Sequence, residues 1–359
     1  MGNDQGGRKL VGIDWGTTNR RAYVLDGSGA CLRSHGDGLG LLAVREHLGG
    51  RFDEALLSLL DELDAGPDPK VLMSGMVGSA QGWQEAPYLD CSVPLEALRG
   101  AAVPVRGAPE GRDWRIVPGY CCRHGEIDVM RGEEIQLLGA LALGHGDGWV
   151  VLPGTHSKWV LLCHGRVAKL ATYMTGELFA MLSSGGTLAQ VMAASGGARH
   201  ARAADDAAGA AGVLADAADA DDSGAGAGAG AGANAAAAAA RAGLFAGAMR
   251  AQRREALSHA LFGVRASVVA GAMPAAQARS CVSGLLIGAE FSAALAMPGE
   301  GAGDRRAEKA CQAGAVRLIA SPALGELYAQ VAEMYNVRVI MLEPDVVYCA
   351  ALAQFLPGG

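Results

Sequence analysis

Hydrophobic and polar positions alternate along much of the chain, and this alternation predicts a mixed α/β protein. Near the N-terminus, three short apolar runs separated by tight turns predict an antiparallel meander; they read KLVGIDW, RAYVLD and ACLRSH. Leucines at helical spacing between positions 56 and 63 then predict a helix, and the run KVLMSG predicts the next strand. Two acids after Gly132 precede the apolar run IQLLGALAL, which predicts a helix because acids favour a helix N-terminus.

The second half of the chain repeats this order of elements. The runs GWVVLP, KWVLLC and RVAKLATYM predict a second meander. Beyond them the pattern predicts helices over 242–262 and 275–296, a strand VRLIA, a helix from Pro322, a strand VRVIML and a closing helix from Asp345.

The two meanders share a glycine pattern. Gly16 opens the first hairpin and Gly27 closes it eleven positions later, while Gly154 and Gly165 stand eleven positions apart in the second. A threonine follows each opening glycine. Two similar hairpins predict two duplicated α/β domains that share a cleft. We place the two domains at residues 8–147 and 148–359.

Residues 203–240 differ in composition from the rest of the chain, since they are almost entirely alanine, glycine and aspartate. Because this segment has so few large apolar side chains, their burial cannot offset the entropy that is lost when the segment is ordered. We therefore expect a mobile, disordered surface insertion in the second domain. Its alanine-rich end is compatible with a helix that leads into 241–262. The GAGAGAG run fits the glycine spacing of a dinucleotide loop, but it follows no strand, and we set that interpretation aside.

Bulk composition indicates a globular, cytoplasmic protein with no membrane association. The chain has 359 residues, of which 50% are hydrophobic, enough for two cores. It contains neither an apolar run of membrane-spanning length nor the apolar stretch of a signal peptide. The eight cysteines form no C-x-x-C pair, and we expect buried thiols rather than a disulfide framework or a zinc site.

The charge balance argues against nucleic acid as a partner. The net charge is −7, and the 203–240 segment holds six aspartates and no other charged residue, which leaves −1 for the remainder. No basic block or aromatic-basic interleaving is present, so we expect a small ligand in a local cationic pocket. Both a monomer and a homodimer are compatible with the sequence.

The hairpin tips carry groups that suit a polyphosphate. The chain has no P-loop motif, so phosphate would lie between the two turns, where backbone N–H groups, hydroxyls and close-approaching glycines meet it. The predicted nucleotide-binding residues are Gly16, Thr17, Thr18, Asn19, Gly154, Thr155 and His156. The alternative is a pair of ordinary hairpins with solvated basic tips, Arg20 among them.

Charged residues beside the turns suggest further roles. Asp14 precedes the first turn and is the predicted ligand of a Mg²⁺ ion that accompanies the nucleotide, whereas Leu152 holds the matching place in the second hairpin. Arg21 and Lys158 are predicted to neutralise charge on the transferred phosphoryl group.

Several motifs resemble one kinase family. IDWGTTNRRAYVLD resembles the first phosphate motif of the actin- and hexokinase-like ATPase superfamily, and specifically that of 2-dehydro-3-deoxygalactonokinases. Further matches follow in family order: MSGMVGSAQGWQEAPYL, VMRGEEIQLLGA, LPGTHSKWV, MTGEL, LFGVRA and SGLLIGAE. The resemblance implies two duplicated RNase H-like domains with an ATP cleft between them, and transfer of the γ-phosphoryl group of ATP to the 6-hydroxyl of 2-dehydro-3-deoxy-D-galactonate.

The resemblance also implies a general base for the acceptor hydroxyl. Related sugar kinases carry an aspartate at the start of the helix before the second hairpin, and Glu133 stands there in this chain. Glu134 is an alternative base, or a magnesium or substrate ligand, and Glu177 is a second candidate for base or substrate contact. Both acids after Gly132 also fit the simpler interpretation that they complement a helix N-terminus.

The remaining predictions concern the sugar acid and the adenosine. Ser79, Gln81, Trp83 and Arg131 are predicted to bind the substrate, with Arg131 on its carboxylate. Ser321 and Gly284 are predicted on the adenosine side, although helix packing explains Gly284 equally well. Alternative functions are a kinase for another 2-keto-3-deoxy sugar acid or hexose, or a nucleotide-switched regulatory protein without catalysis.

Overall fold

The computed structural model describes residues 8–123, 126–193, 230–297 and 314–357. Strands β1 to β14 span Leu10–Trp15, Arg20–Leu25, Cys31–Asp37, Lys70–Gly75, Tyr88–Asp90, Val103–Pro104, Trp114–Ile116, Gly119–Cys122, Asp128–Met130, Gly148–Leu152, Ser157–Cys163, Arg166–Tyr173, Val316–Ile319 and Val339–Leu342. Helices α1 to α11 span Leu41–His47, Phe52–Glu62, Leu98–Ala101, Glu133–Ala142, Thr175–Ser184, Gly186–Ala193, Gly230–Gln252, Leu257–Val269, Ala278–Ala294, Pro322–Met334 and Pro344–Ala353. No helix within these ranges is both long enough and apolar enough to cross a membrane.

Two large sheets have the same internal order. The first runs β3-β2-β1-β4-β7-β6 and the second runs β12-β11-β10-β13-β14. In each, three strands pair antiparallel as a meander, and the first meander strand then pairs parallel with the next strand outward. The duplicated α/β arrangement predicted from the repeated hairpins, and the RNase H-like fold that the family resemblance implies, are therefore confirmed.

Buried side chains form three layers around the two sheets. One apolar cluster covers the outer face of the first sheet with α1 and α2, and another covers the outer face of the second sheet with α5 to α10. The third fills the space between the inner faces and includes the apolar sides of α4 and α11. The halves of the molecule are thus joined by a continuous core at their inner faces.

Helix α11 packs on the first half although it ends the second half of the chain. A side chain at Gly12 of β1 would overlap Leu352, and one at Gly139 of α4 would overlap the backbone of Val347. The hydroxyl of Tyr23 donates a hydrogen bond to Asp345 at 2.6 Å. Packing therefore crosses the predicted boundary at 147/148. The hydrophobic core between the inner faces contains residues from both sides of this boundary.

A small third sheet, β5-β8-β9, corrects the prediction about cysteines. Cys91 and Cys122 form a disulfide, with Cα atoms 5.0 Å apart. The parallel β5–β8 register sets Asp90 against Cys121, so the next residue of each strand lies beside the other. The prediction of free thiols is therefore wrong for Cys91 and Cys122. The prediction that the cysteines are buried is wrong for Cys31, which is exposed.

The helix predicted over 242–262 is two helices. Helix α7 ends at Gln252 and α8 begins at Leu257, and Arg254 between them has a positive φ of 56°. The break lets Ala260 of α8 pack against Ala251 and Leu285. Helix α7 begins at Gly230, so the alanine-rich end of the predicted insertion is helical, while 203–229 lie outside the described residues.

Candidate active site

Strand alternation turns Asp14 toward the space between the two halves. Val11, Ile13 and Trp15 of β1 belong to the outer core, so the intervening residues, including Asp14, occupy the inner face. Arg21 of β2 stands directly opposite Asp14 in the antiparallel register. The predicted metal ligand and one predicted phosphate-neutralising residue therefore share the cleft-facing side of the first hairpin.

Arg20 lies on the other face and does not contribute to a basic tip. It is buried, forms an ion pair with Asp37 at 2.6 Å and donates to the Ala55 carbonyl at 2.8 Å. Its guanidinium also lies over the Trp15 ring, 5.0 Å from the centroid. The interpretation of Arg20 as a solvated or phosphate-facing group is wrong, because period-two alternation turns it into the outer core.

Two glycines make room around the Asp14 carboxylate. Gly75 ends β4, the parallel neighbour of β1, and has a φ of 88°; a Cβ there would lie 2.8 Å from the Trp15 carbonyl oxygen and 3.2 Å from Asp14 Oδ1. A Cβ on Gly132, whose φ is 112°, would lie 3.2 Å from Gly75 Cα. These positions require glycine for both backbone conformation and space.

The two acids of the GEE motif occupy different environments at the start of α4. Glu133 is partly exposed, and its Oε2 accepts a hydrogen bond from the Arg131 N–H at 2.9 Å. Glu134 is fully buried, and its oxygens accept from the Gly132 N–H at 2.9 and 2.7 Å. Burial raises the pKa of Glu134 to about 8, with Glu133 adding to the rise. Glu133 is therefore the acid available to a ligand, and Glu134 is turned inward.

Asp14 and Glu133 interact electrostatically. Burial raises the pKa of Asp14 to about 6, Arg21 opposes this rise, and the negative charge of Glu133 adds to it. Within the described residues, no group donates a hydrogen bond to the Asp14 carboxylate. A carboxylate with available oxygens, next to a second acid, is a suitable donor set for a hard divalent cation.

A glycine segment closes over each turn. At the first turn, the N–H groups of Gly40 and Leu41 donate to the carbonyls of Thr18 and Gly16, both at 3.0 Å. A side chain at Gly40 would overlap the Thr18 backbone. The segment before α1 therefore holds the residues predicted to contact phosphate, Thr17 and Asn19 among them, in a defined turn.

The second turn is covered by the start of α5. The Glu177 N–H donates to the Thr155 carbonyl at 3.0 Å, and a Cβ at Gly176 would overlap the Gly154 carbonyl and lie 2.8 Å from Thr155 Cα. His156 Nε2 lies 2.6 Å from Glu177 Oε2. The structure thus brings the PGTH and MTGEL motifs together, so that His156 and Glu177 form one polar pair at the hairpin tip.

Lys158 is buried on the inner face of β11. Its Nζ donates hydrogen bonds to the Val129 carbonyl and to Thr172 Oγ1, both at 2.8 Å. Thr172 in turn donates to Asp128 at 2.6 Å through its hydroxyl. These contacts join β11, β12 and β9, so Lys158 has a structural function, and its role in phosphoryl transfer remains a prediction.

The predicted substrate residues divide between two faces. Ser79 donates a hydrogen bond to the Met76 carbonyl. Trp83 stacks on Phe52, with ring centroids 6.2 Å apart, and packs against the outer core on the sheet face opposite Asp14. Gln81 is exposed in the same loop. The structure therefore does not bring Trp83 to the Asp14 side.

Arg131 lies beside the acids. Its Nη2 donates to the Ala86 carbonyl at 2.9 Å, and its guanidinium lies over the Tyr88 ring, 4.2 Å from the centroid. Its Nη1 is buried, would lie 3.0 Å from a Cβ at Gly78, and has no hydrogen-bond partner within the described chain. An unpaired guanidinium N–H is a suitable donor for a carboxylate ligand.

The adenosine-side predictions have different structural settings. Ser321 is exposed and lies between β13 and α10. Because β13 and β10 are adjacent parallel strands, Ser321 and Gly154 both follow their strands at the same edge of the sheet. Gly284 is buried in α9, where a side chain would overlap the Leu244 backbone of α7. Helix packing therefore accounts for Gly284, and its role in binding adenosine remains a prediction.

Sequence reasoning missed one buried acid, Glu290 of α9. Its carboxylate accepts hydrogen bonds from four side chains: Ser157, Trp159, Thr175 and Tyr328. Burial raises its pKa. The signal in the sequence is a glutamate inside the otherwise apolar run SGLLIGAEF.

Comparisons with known proteins cover most of the chain. The 2-keto-3-deoxy-galactonokinase family model matches residues 14–223 and 228–355. A probable 2-dehydro-3-deoxygalactonokinase of Rhizobium meliloti (strain 1021) is 33% identical over 95% of this chain and 94% of its own length. The 2-dehydro-3-deoxygalactonokinase of Escherichia coli (strain K12) is 32% identical over 79% of this chain and 80% of its own.

One similar solved structure covers the whole fold. It is a crystal structure of a Sinorhizobium meliloti protein assigned as a 2-dehydro-3-deoxygalactonokinase, with a TM-score of 0.70 and 30% identity over 96% of this chain and 94% of that one. The chain therefore belongs to the 2-keto-3-deoxy-galactonokinase family and is a sugar-acid kinase. The family resemblance predicted from the sequence motifs is confirmed.

Proposed function

We propose that this kinase transfers the γ-phosphoryl group of ATP to the 6-hydroxyl of 2-dehydro-3-deoxy-D-galactonate, in the cytoplasm, as a step of galactonate breakdown. The observation that carries the proposal is the meeting of Asp14 and Glu133, two acids from separate motifs, where β1, β4 and α4 converge. Ligands in α/β folds bind where adjacent parallel strands end at their carboxyl ends, which fits this position.

Glu133 is the proposed general base. The substrate hydroxyl oxygen forms a bond to the γ-phosphorus while the bond from that phosphorus to the bridging oxygen breaks, so ADP leaves, and the hydroxyl proton passes to the Glu133 carboxylate. The hydrogen bond from the Arg131 N–H orients the carboxylate. Glu134, buried behind it and bound to the Gly132 N–H, holds the start of α4 in place.

Asp14 is the proposed ligand of Mg²⁺. The fit rests on its partly buried carboxylate, which no described group hydrogen-bonds, and on the space that Gly75 and Gly132 leave around it. When bound, Mg²⁺ neutralises charge on the phosphates of the nucleotide. Arg21, opposite Asp14 on β2, adds a positive charge on the same face.

Arg131 is the proposed partner of the substrate carboxylate. Its buried Nη1 lacks a hydrogen-bond partner within the described residues, while its other nitrogens bind Ala86 and Tyr88 and fix the guanidinium plane. An unpaired buried donor is costly without a ligand, and a carboxylate ligand would satisfy it. This preference favours sugar acids over neutral hexoses.

The test is a coupled ADP-release assay over 2-keto-3-deoxy sugar acids, hexoses and polyols. We expect release that depends on the galactonate derivative, and a decrease in kcat of about a hundredfold or more in Glu133→Gln, because the base is lost while the shape is kept. Glu54→Gln is the matched control, since Glu54 is an exposed acid in the first turn of helix α2.

The outcomes separate the alternatives. Equal loss in Glu54→Gln and Glu133→Gln would mean that the acids only complement helix N-termini. ATP turnover that ignores both the sugar acid and the Glu133 substitution would favour a nucleotide-switched regulatory protein. Preference for another 2-keto-3-deoxy sugar acid or a hexose would keep the mechanism and change the substrate.

A further inference from the structure

We propose that Glu290 is a positioning residue for nucleotide binding: from behind the second hairpin, it fixes the Gly154-Thr155 turn in the shape that receives the phosphates of ATP. This inference rests on the proposed function, together with the prediction from the sequence that this turn contacts the nucleotide.

Glu290 joins four elements at one carboxylate. It projects from α9 and accepts hydrogen bonds from Ser157 Oγ at 2.9 Å and Trp159 Nε1 at 2.8 Å, both on β11. Its other oxygen accepts from Tyr328 of α10 at 2.8 Å and from Thr175 of α5. Glu290 is 1% exposed, so water does not compete for these bonds.

The four donors include the residues that hold both sides of the turn. Ser157 begins β11, two residues after Thr155. Thr175 begins α5 and precedes Gly176 and Glu177, which close over the turn through the Gly154 carbonyl and the Thr155 carbonyl. Glu290 therefore ties the strand that leaves the turn to the helix that covers it.

The chemistry of the donors explains why an acid is used. A carboxyl group offers two oxygens that can each accept more than one hydrogen bond, and four donors converge on those of Glu290. Removing one donor should loosen one side of the turn without emptying the core.

Two tyrosines on the same side of α9 provide a matched pair of variants. The Tyr328 hydroxyl donates to Glu290, whereas the Tyr335 hydroxyl donates to the Gly288 carbonyl at 2.7 Å and contacts Ser292, with no bond to the second hairpin. Both side chains contact Phe291 of α9. Tyr328→Phe and Tyr335→Phe therefore remove the same atom from neighbouring environments, and only the first variant affects the network.

We expect Tyr328→Phe to weaken binding of a non-hydrolysable ATP analogue with Mg²⁺ about five- to tenfold by titration calorimetry, and to raise KM for ATP similarly. KM for the sugar acid should change less than about twofold, because Glu133 and Arg131, which are proposed to meet the sugar acid, form no hydrogen bond with Glu290 or its four donors within the described residues. Tyr335→Phe should leave the affinity for the analogue unchanged.

Glu290→Gln provides a rescue test. Its amide oxygen can accept from Trp159 and Ser157, while its NH₂ group donates to the hydroxyl oxygens of Tyr328 and Thr175, so all four contacts survive. We expect Gln to retain nucleotide affinity within about threefold and Glu290→Leu to lose about tenfold or more. If the Leu variant fails to fold, the tyrosine pair still decides the question.

Equal nucleotide affinity in Tyr328→Phe and Tyr335→Phe would overturn the inference and leave the kinase proposal standing. Equal loss of affinity for nucleotide and sugar acid would also overturn it, since a general loss of stability would explain both. Selective loss of nucleotide affinity in a protein that phosphorylates no sugar acid would support the positioning role and reject the proposed reaction.

Discussion

The two hairpins occupy equivalent places in their sheets but carry different charges on the cleft-facing side. In the first, Asp14 stands opposite Arg21, and in the second, Leu152 stands opposite Lys158. The second turn is one residue shorter between these paired positions, so Lys158 corresponds to Arg21 in register and not to Arg20. The frame is the same in both halves, and of these two hairpins only the first carries an acid at this position.

Each hairpin is also supported from behind by a buried ionisable side chain, a basic one in the first and an acidic one in the second. The first uses Arg20, which binds Asp37 and the Ala55 carbonyl, and the second uses Glu290, which accepts four bonds. The comparison shows that the position of the turns is common to both halves, while the chemistry of their two faces is set independently. Three further experiments test this difference between the hairpins.

The largest effect is expected from Asp14→Asn. If the first hairpin alone holds the metal, this change should lower kcat/KM by about a hundredfold or more, because the neutral amide is a weak ligand for Mg²⁺. The measurement is the kinase assay across a range of Mg²⁺ concentrations. Asp26→Asn is the control, since Asp26 lies in the turn after β2 and binds Ser28. Full activity in Asp14→Asn would remove the proposed difference between the hairpins.

A smaller effect is expected from a methyl group at the segments that cover the turns. Gly176→Ala and Gly40→Ala would each force the covering backbone away from its turn, and we expect KM for ATP to rise about tenfold or more. Gly185→Ala and Gly38→Ala are matched controls, because each has no atom closer than 3.9 Å to the added carbon. An unchanged KM in only one of the two variants would mean that one hairpin alone binds the nucleotide.

The smallest expected effect separates the two cations on the inner faces. Lys158→Met should lower the free energy of unfolding by about 1–3 kcal/mol, because it leaves the Val129 carbonyl and Thr172 without their donor. Arg21→Met should change stability less, since Arg21 is exposed. Denaturant unfolding of both variants is the measurement. Equal stability losses would contradict the structural function assigned to Lys158.

Local sequence patterns predicted most elements and the shared topology. The strands KLVGIDW, RAYVLD and GWVVLP match β1, β2 and β10, because each has enough apolar residues and clear turn signals at its ends. The break between α7 and α8 escaped prediction, since good helix formers occupy residues 252–256 and only packing between the helices selects the turn there.

The candidate site divides in the same way. By itself, the sequence determined the two turns, the acids at 14 and 133, and the family, because these depend on residue type and on spacing within a few positions. Tertiary packing is what buries Glu134, places Arg20 in the outer core, pairs Cys91 with Cys122 and brings Glu290 to Ser157. The physical reason is separation along the chain: Glu290 and Ser157 are 133 residues apart, and no local pattern records which distant groups the packed core brings into contact.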